Sequence, residues 1–164
     1  MTFDAANREK AKQIVAKYPF ARSAVLPLLH LAQEQDGWVS PDAITEVAGM
    51  VGIEPAQVLG TCSFYTMFKR DGKKQLVVSV CTNVSCLVNG GPELFEALSE
   101  QYHDATDVEV EEVECLAACD TAPVLQVNYE FHGPLNGADA ETIVDDYKAG
   151  KRVARTISGT QVKS

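Results

Sequence analysis

The chain has 164 residues, 46% of them hydrophobic, and a formal net charge of −9. That length holds one domain or two small ones, and that apolar content is enough for a packed core. The acidic balance excludes a surface built to neutralise phosphates, and no apolar run is long enough to cross a membrane as a helix.

The first ten residues, MTFDAANREK, carry charges and no apolar stretch, so no secretory signal is expected and the compartment reads as a reducing cytosol. Residues 7–17 read as a short helix, stopped at Tyr18-Pro19 because the residue before proline is pushed out of the α region. Residues 23–35 place Leu28, Leu29, Leu31 and Ala32 at helical spacing, with Pro27 confined to the first turn and Asp36-Gly37 as the stop. Ser40 followed by Pro41 opens a third helix that runs to Val51 before Gly52. Glu54-Pro55 opens a fourth, extending to about residue 68, with Val58, Leu59, Cys62, Tyr65 and Met67 as its apolar positions. The aromatics Phe64, Tyr65 and Phe68 read as core. Four short helices define a helical N-terminal domain, residues 1–72, used for packing and docking. A helix-turn-helix reading fails for want of a basic recognition face.

Asp71-Gly72 is a turn and the junction to an α/β half, residues 73–150. Alternation predicts strands at 75–81 and 107–113, and Pro92 starts a helix over 92–102 between them. Strand, helix and strand of this length form a crossover between parallel strands. A third strand at 124–128, a partner at 129–132 and an amphipathic helix at 138–148 follow. The order β-α-β, β-β-α with a mixed sheet is that of thioredoxin. Residues 151–164 carry Lys151, Arg152, Arg155 and Lys163 with no acid, and read as a solvated basic tail.

Four of the five cysteines form two pairs, Cys81 with Cys86 and Cys115 with Cys119, spaced C-x4-C and C-x3-C. Each pair trails a predicted strand. Parallel strands end on one edge of a sheet, where open α/β sheets place ligands. Four thiols at one edge admit a [2Fe–2S] cluster, structural zinc or disulfides. The spacing and the reducing compartment favour the cluster. A Rieske centre would need two histidines, and His30, His103 and His132 all lie outside the pairs. A dithiol redox site would show C-x-x-C, which is absent. Cys62, in an apolar helix, reads as a small buried hydrophobe and not a ligand. No nucleotide motif is present, so NADH and flavin would have to sit on another chain.

The segments CTNVSC at 81–86, VEEVECLAACDTAPVLQVN at 110–128 and SFYTMF at 63–68 resemble the thioredoxin-like [2Fe–2S] ferredoxin family. The resemblance is to the member found as a small iron–sulfur subunit of NADH–quinone oxidoreductases (respiratory complex I). The same module recurs in NAD-linked hydrogenases and formate dehydrogenases. The resemblance covers about residues 23–147. It implies that Cys81, Cys86, Cys115 and Cys119 hold one [2Fe–2S] cluster, each pair on its own iron. It implies a flavin- and NADH-binding partner subunit, and the large iron–sulfur subunit as a further neighbour. The complex would lie in the cytoplasm against the inner face of the cell membrane. A cis Ala122-Pro123 bond is also expected from the resemblance. Ala117 stands where the family usually has glycine, which an alanine can replace only at negative φ.

A thiolate site carries negative charge that must be met by dipoles. The loops at 82–85 and 87–91 can offer backbone N–H groups, with Gly90 and Gly91 allowing close approach and the start of helix 92–102 adding its dipole. Glu109, Glu111, Glu112, Glu114 and Asp120 either lower the site's potential or form a solvated strand face. The helical domain, through helices 23–35 and 55–68, is expected to form a permanent apolar contact with the flavin subunit of roughly 2,000 Å² or more.

Overall fold

The computed structural model describes residues 3–72 and 76–152. The chain divides after Lys74 into two units.

The first unit is helical, and its helix ends follow local capping. Helix α1 (Ala5–Ala16) starts where the Asp4 side chain accepts from Asn7 N–H. A single 3-10 turn (Ala21–Ala24) leads into α2 (Val25–Asp36), so Pro27 sits in the first turn, where a missing N–H costs no bond. Helix α3 (Pro41–Val51) has Ser40 Oγ accepting from Ala43 N–H at 3.1 Å. Helix α4 (Pro55–Phe64) opens with a reciprocal capping box between Glu54 and Gln57. Leu28, Leu29, Val47, Val58, Cys62 and Phe68 are buried together in one core. Burial also pushes the Cys62 thiol above its ordinary range, with Arg70 opposing.

Two expectations fail here. Helix α4 ends at Phe64, because the chain turns extended at Tyr65 and folds back over α2. There Gln33 clasps it twice, accepting from Lys69 N–H at 2.7 Å and donating to Met67 O at 2.8 Å. Phe64, the last residue of α4, is 78% exposed and not core, and Leu59 and Met67 are also exposed. Met67 lies past the true end of the helix, where helical spacing no longer assigns a face.

The second unit is a mixed four-stranded sheet in the order β2-β1-β3-β4. Strand β1 (Leu76–Cys81) pairs in parallel with β2 (Val108–Val113), from Leu76↔Val108 to Cys81↔Val113. Strand β3 (Leu125–Val127) lies antiparallel on the other side of β1, and β4 (Glu130–His132) pairs antiparallel with β3. Between β1 and β2 run a five-residue helix α5 (Val84–Val88) and the longer α6 (Gly91–Gln101). Helix α7 (Gly137–Lys148) closes the unit. Its Val144 and Ala140 join Val78, Val80, Leu98, Leu125 and Val127 in a second core. This is the thioredoxin-like arrangement expected. Ala122-Pro123 is cis, as is Gly133-Pro134. The start of the expected solvated tail is tied down: Lys151 and Arg152 both pair with Asp146, at 3.0 and 3.6 Å. The rest of that tail, from residue 153, lies outside the described residues. Among the described residues no helix is long and apolar enough to cross a membrane.

His132 Nε2 lies 3.0 Å from Tyr147 Oη, tying β4 to α7. Burial, then the charge of Arg152, holds this imidazole below its ordinary 6.5, with Glu130 opposing. Between the folded value and 6.5 the unfolded chain binds a proton that the folded chain refuses, so stability is full above 6.5 and falls as pH drops through that window. His132→Gln should flatten this slope in urea titrations between about pH 7.5 and about pH 5.5, and an unchanged slope would remove His132 as its source.

Candidate metal centre

The parallel register sets the site. Cys81 is the last residue of β1 and stands opposite Val113, the last residue of β2. Cys115 follows two residues later, so both pairs leave the sheet at one edge. The first pair is then closed by α5, where sequence reading expected only loop. Asn83 caps it, its side chain accepting from Val84 N–H at 2.7 Å while Cys86 N–H donates to Asn83 O at 2.7 Å. The turn points Cys86 inward, 1% exposed, and leaves Val84 and Val88 72% and 77% exposed. Five residues are too few for a helical period to register.

Gly90 has φ 90° and starts α6 at Gly91. A Cβ on Gly91 would stand 2.6 Å from Cys81 O and 2.9 Å from Cys86 O. The backbone of the first pair therefore rests directly on the N-terminus of α6, an approach only glycine permits.

The second pair lies on an irregular segment. Ala117 N–H donates to Cys115 Sγ at 3.3 Å. Ala117 has φ 56°, in the left-handed region. The expectation of a negative φ is thus overturned: this chain keeps the glycine-type backbone and bears the Cβ contact, worth about 1–2 kcal/mol. A 3-10 turn (Cys119–Thr121) follows, with Thr121 N–H and Oγ1 both donating to Ala118 O at 3.1 Å.

Cys81, Cys86 and Val124 are buried as one cluster, and Leu116 and Ala118 of the second loop pack on it. Burial alone would raise the Cys81 thiol. The N–H groups of Asn83 and Leu116 and the Cys86 thiol outweigh it and hold Cys81 below its ordinary range. Cys86 moves the other way. Burial raises it and the adjacent Cys81 and Cys119 raise it further, against one N–H from Val124. Cys81, Cys86 and Cys119 are thus electrostatic neighbours. Cys115 and Cys119 are exposed on the neighbouring loop. Among the described residues no three His, Cys, Asp or Glu side chains already close into a metal site. The donor set nonetheless fits a thiolate-bound group: four thiols at one edge, three backbone N–H groups aimed at the two buried sulfurs, and a glycine holding the first loop down.

The acidic strand is partly engaged. Ser79 Oγ donates to Glu111 and Thr82 Oγ1 to Glu112, each at 2.7 Å. Neither hydroxyl stood out in the sequence, because a serine and a threonine on a strand carry no signal until the register faces them with carboxylates.

A thioredoxin-like sheet with paired cysteines on the edge shared by β1 and β2 defines a class. Residues 11–148 match the thioredoxin-like [2Fe-2S] ferredoxin family, and the chain belongs to it. It is 40% identical over 153 residues to a subunit of the NADH-quinone oxidoreductase of Mycobacterium tuberculosis, covering 89% of this chain and 61% of that protein. The chain thus spans about three fifths of that relative's length. It is 36% identical over 152 residues to NADH-quinone oxidoreductase subunit 2 of Thermus thermophilus, covering 87% of this chain and 84% of that one. The fold is shared with a chain in the crystal structure of an NAD+-reducing [NiFe]-hydrogenase in its air-oxidized state (TM-score 0.67, 18% identity, 78% of this chain and 23% of that chain).

Two backbone substitutions should separate. Gly91→Ala forces the first-pair loop off α6 and should cost about 1–3 kcal/mol in denaturant titration. Ala117→Gly removes the left-handed contact and should be neutral or stabilising by up to about 1 kcal/mol. A destabilised Ala117→Gly variant would mean that the alanine methyl has a packing role.

Proposed function

We propose that this chain is an electron-transfer subunit of an NADH:quinone oxidoreductase, holding one [2Fe–2S] cluster on Cys81, Cys86, Cys115 and Cys119. The observation that carries this reading is the parallel register, which ends β1 and β2 at one edge and brings the two cysteine loops into contact. When bound, such a cluster stores and passes one electron at a time.

The protein's own residues have three tasks. The N–H groups of Asn83 and Leu116 at Cys81, and of Val124 at Cys86, stabilise negative charge on the buried sulfurs. Val113, Leu116, Ala118, Ala122 and Val124 keep water from the inner pair. Gly91 fixes the loop height. NADH and FMN belong, on this reading, to a partner subunit, with the large iron–sulfur subunit adjacent. The chain would reach the inner face of the cell membrane only through that assembly. The helical N-terminal domain serves as the dock. Exposed Phe64, Leu59 and Met67, at and just beyond α4, support this role, since large apolar side chains left in water so close along the chain suit a surface that another protein covers.

Purified protein should show the visible absorbance of a [2Fe–2S] centre with matching iron and acid-labile sulfide. Replacing Cys81, Cys86, Cys115 or Cys119 by alanine should bleach or alter it, while Cys62→Ala leaves it intact. The isolated, flavin-free chain should not oxidise NADH with any acceptor. Bleaching by Cys62→Ala but not by Cys119→Ala would refute the ligand set, and a colourless zinc-containing protein would refute the redox role.

The dock has its own test. Phe64→Glu, at an exposed position, should leave the spectrum unchanged and weaken co-purification with the flavin-bearing subunit. Full retention of the complex would move the interface to the ferredoxin unit.

A further inference from the structure

We propose that the outer face of α4 receives an α-helix of the flavin-bearing subunit, packed closely over Gly60, with a large apolar side chain of that helix seated in the hole the glycine leaves. The inference rests on the dock proposed above and gives its occupant a shape and a chemistry.

Gly60 stands near the middle of α4, exposed and without a positive φ. A Cβ added there would meet nothing within 4 Å. Neither backbone conformation nor packing within this chain therefore calls for a glycine, although glycine inside a helix weakens it relative to alanine. Gly49 of α3 is open in the same way, but no large apolar side chain of that helix is exposed.

The surface around Gly60 is different. Val58 and Cys62 are buried, so helical spacing puts Ala56, Leu59, Gly60 and Ser63 on the outer face, at i, i+3, i+4 and i+7. Four residues so spaced frame the hole into which a neighbouring helix inserts one side chain. Leu59 walls this hole, and exposed Phe64 stands one turn beyond Gly60. The Phe64 ring is steadied edge-on by Tyr65, 5.1 Å away between centres. With glycine at the crossing, two helix axes approach at the short end of the usual range of about 8–10 Å.

Charge selects the partner. Residues 55–68 contain no Asp, Glu, Lys or Arg, in a chain that is 23% charged. A charged side chain laid on this face would lose its water and find no counter-ion. The face asks for no polar partner either. Ser63 Oγ donates to Gly60 O at 3.0 Å and Thr61 Oγ1 to Gln57 O at 3.1 Å, both within α4. An added strand would need a row of open backbone groups, which a helix face does not offer. The complementary surface is thus an uncharged, apolar helix face. A second copy of this chain has such a face, but two copies each of formal net charge −9 repel.

Co-expression of the full chain with the flavin-bearing subunit tests this. Gly60→Ala should shift the folding equilibrium of the isolated chain about two- to fivefold toward the folded state. A less stable Gly60→Ala chain would reveal an internal need for the glycine and overturn the premise. Gly60→Leu, whose added atoms enter open space, should leave the isolated chain as stable as the parent and its visible spectrum unchanged, yet weaken the complex about tenfold or more. Photo-crosslinking residues at Ala56 and Ser63 should label the flavin-bearing subunit at positions three, four or seven residues apart. Undiminished binding by Gly60→Leu would overturn the proposal, as would labels two residues apart, the spacing of a strand. Labels on a second copy of this chain, with a dimer in light scattering, would overturn it too. Should Phe64→Glu and Gly60→Leu both leave the complex whole, the dock itself is lost. Weakening by Phe64→Glu alone keeps the dock and removes only the helix over Gly60.

Discussion

The pairing of β1 with β2 is the constraint on which the rest of the unit depends. Six residues align in parallel, and the last rung is Cys81 against Val113. A parallel pair cannot be joined by a tight turn, so the chain must cross over through α5 and α6 before β2 begins. That crossover carries Cys86 and Gly91, and it returns the chain so that Cys115 emerges beside Cys81. Strand β3, antiparallel on the far flank of β1, then brings Val124 to the same place: Cys81 N–H donates to Val124 O at 3.2 Å, and Val124 N–H faces the Cys86 thiol. A slip of the β1–β2 register by one residue would turn Val78 and Val80 out of the core and part the two cysteine loops together.

The two loops meet their geometric demands in different ways. At Gly91 the obstacle is other backbone, the carbonyls of Cys81 and Cys86, and no side-chain rotation can clear it. At Ala117 the obstacle is the residue's own Cβ at positive φ, a local cost that surrounding contacts can offset. Ala117 N–H is one of the donors aimed at a cysteine sulfur, at 3.3 Å. The left-handed turn is what points it there, so the strain and the hydrogen bond are two aspects of one conformation.

Much of this was legible in the residues. Helix α3 falls on 41–51 because Ser40, Pro41 and Gly52 are start and stop signals with definite stereochemistry. The parallel pair, the crossover and the position of both cysteine pairs follow from alternation and spacing. What escaped depends on tertiary contacts or very short elements. Helix α5 has five residues and is held by the Asn83 cap. The end of α4 is set by Gln33, which grips the chain from another helix. The sign of φ at Ala117 cannot be read from an alanine, because only the requirement of the turn reveals it. The hydroxyl partners of Glu111 and Glu112 appear only when the register is known.

Electrostatics give the ferredoxin unit its character. From residue 75 to residue 147 there is no Lys or Arg, and the carboxylates of β2 run up to the site. Negative charge on the thiols therefore has no Lys or Arg of this stretch to answer it, and backbone dipoles must do so. That accounts for the opposite behaviour of the two inner cysteines. Cys81 gathers two backbone N–H groups and lies low, whereas Cys86 has one and bears the charge of its neighbours. On the proposed reading, each added electron meets the same field. The carboxylates of β2 disfavour it, and the few N–H groups oppose that trend. Glu112 is tied to the first-pair loop, since Thr82, the residue after Cys81, donates to it at 2.7 Å. A hydroxyl donor fixes a carboxylate in position without neutralising it, so the Thr82 contact keeps that negative charge beside the first cysteine pair.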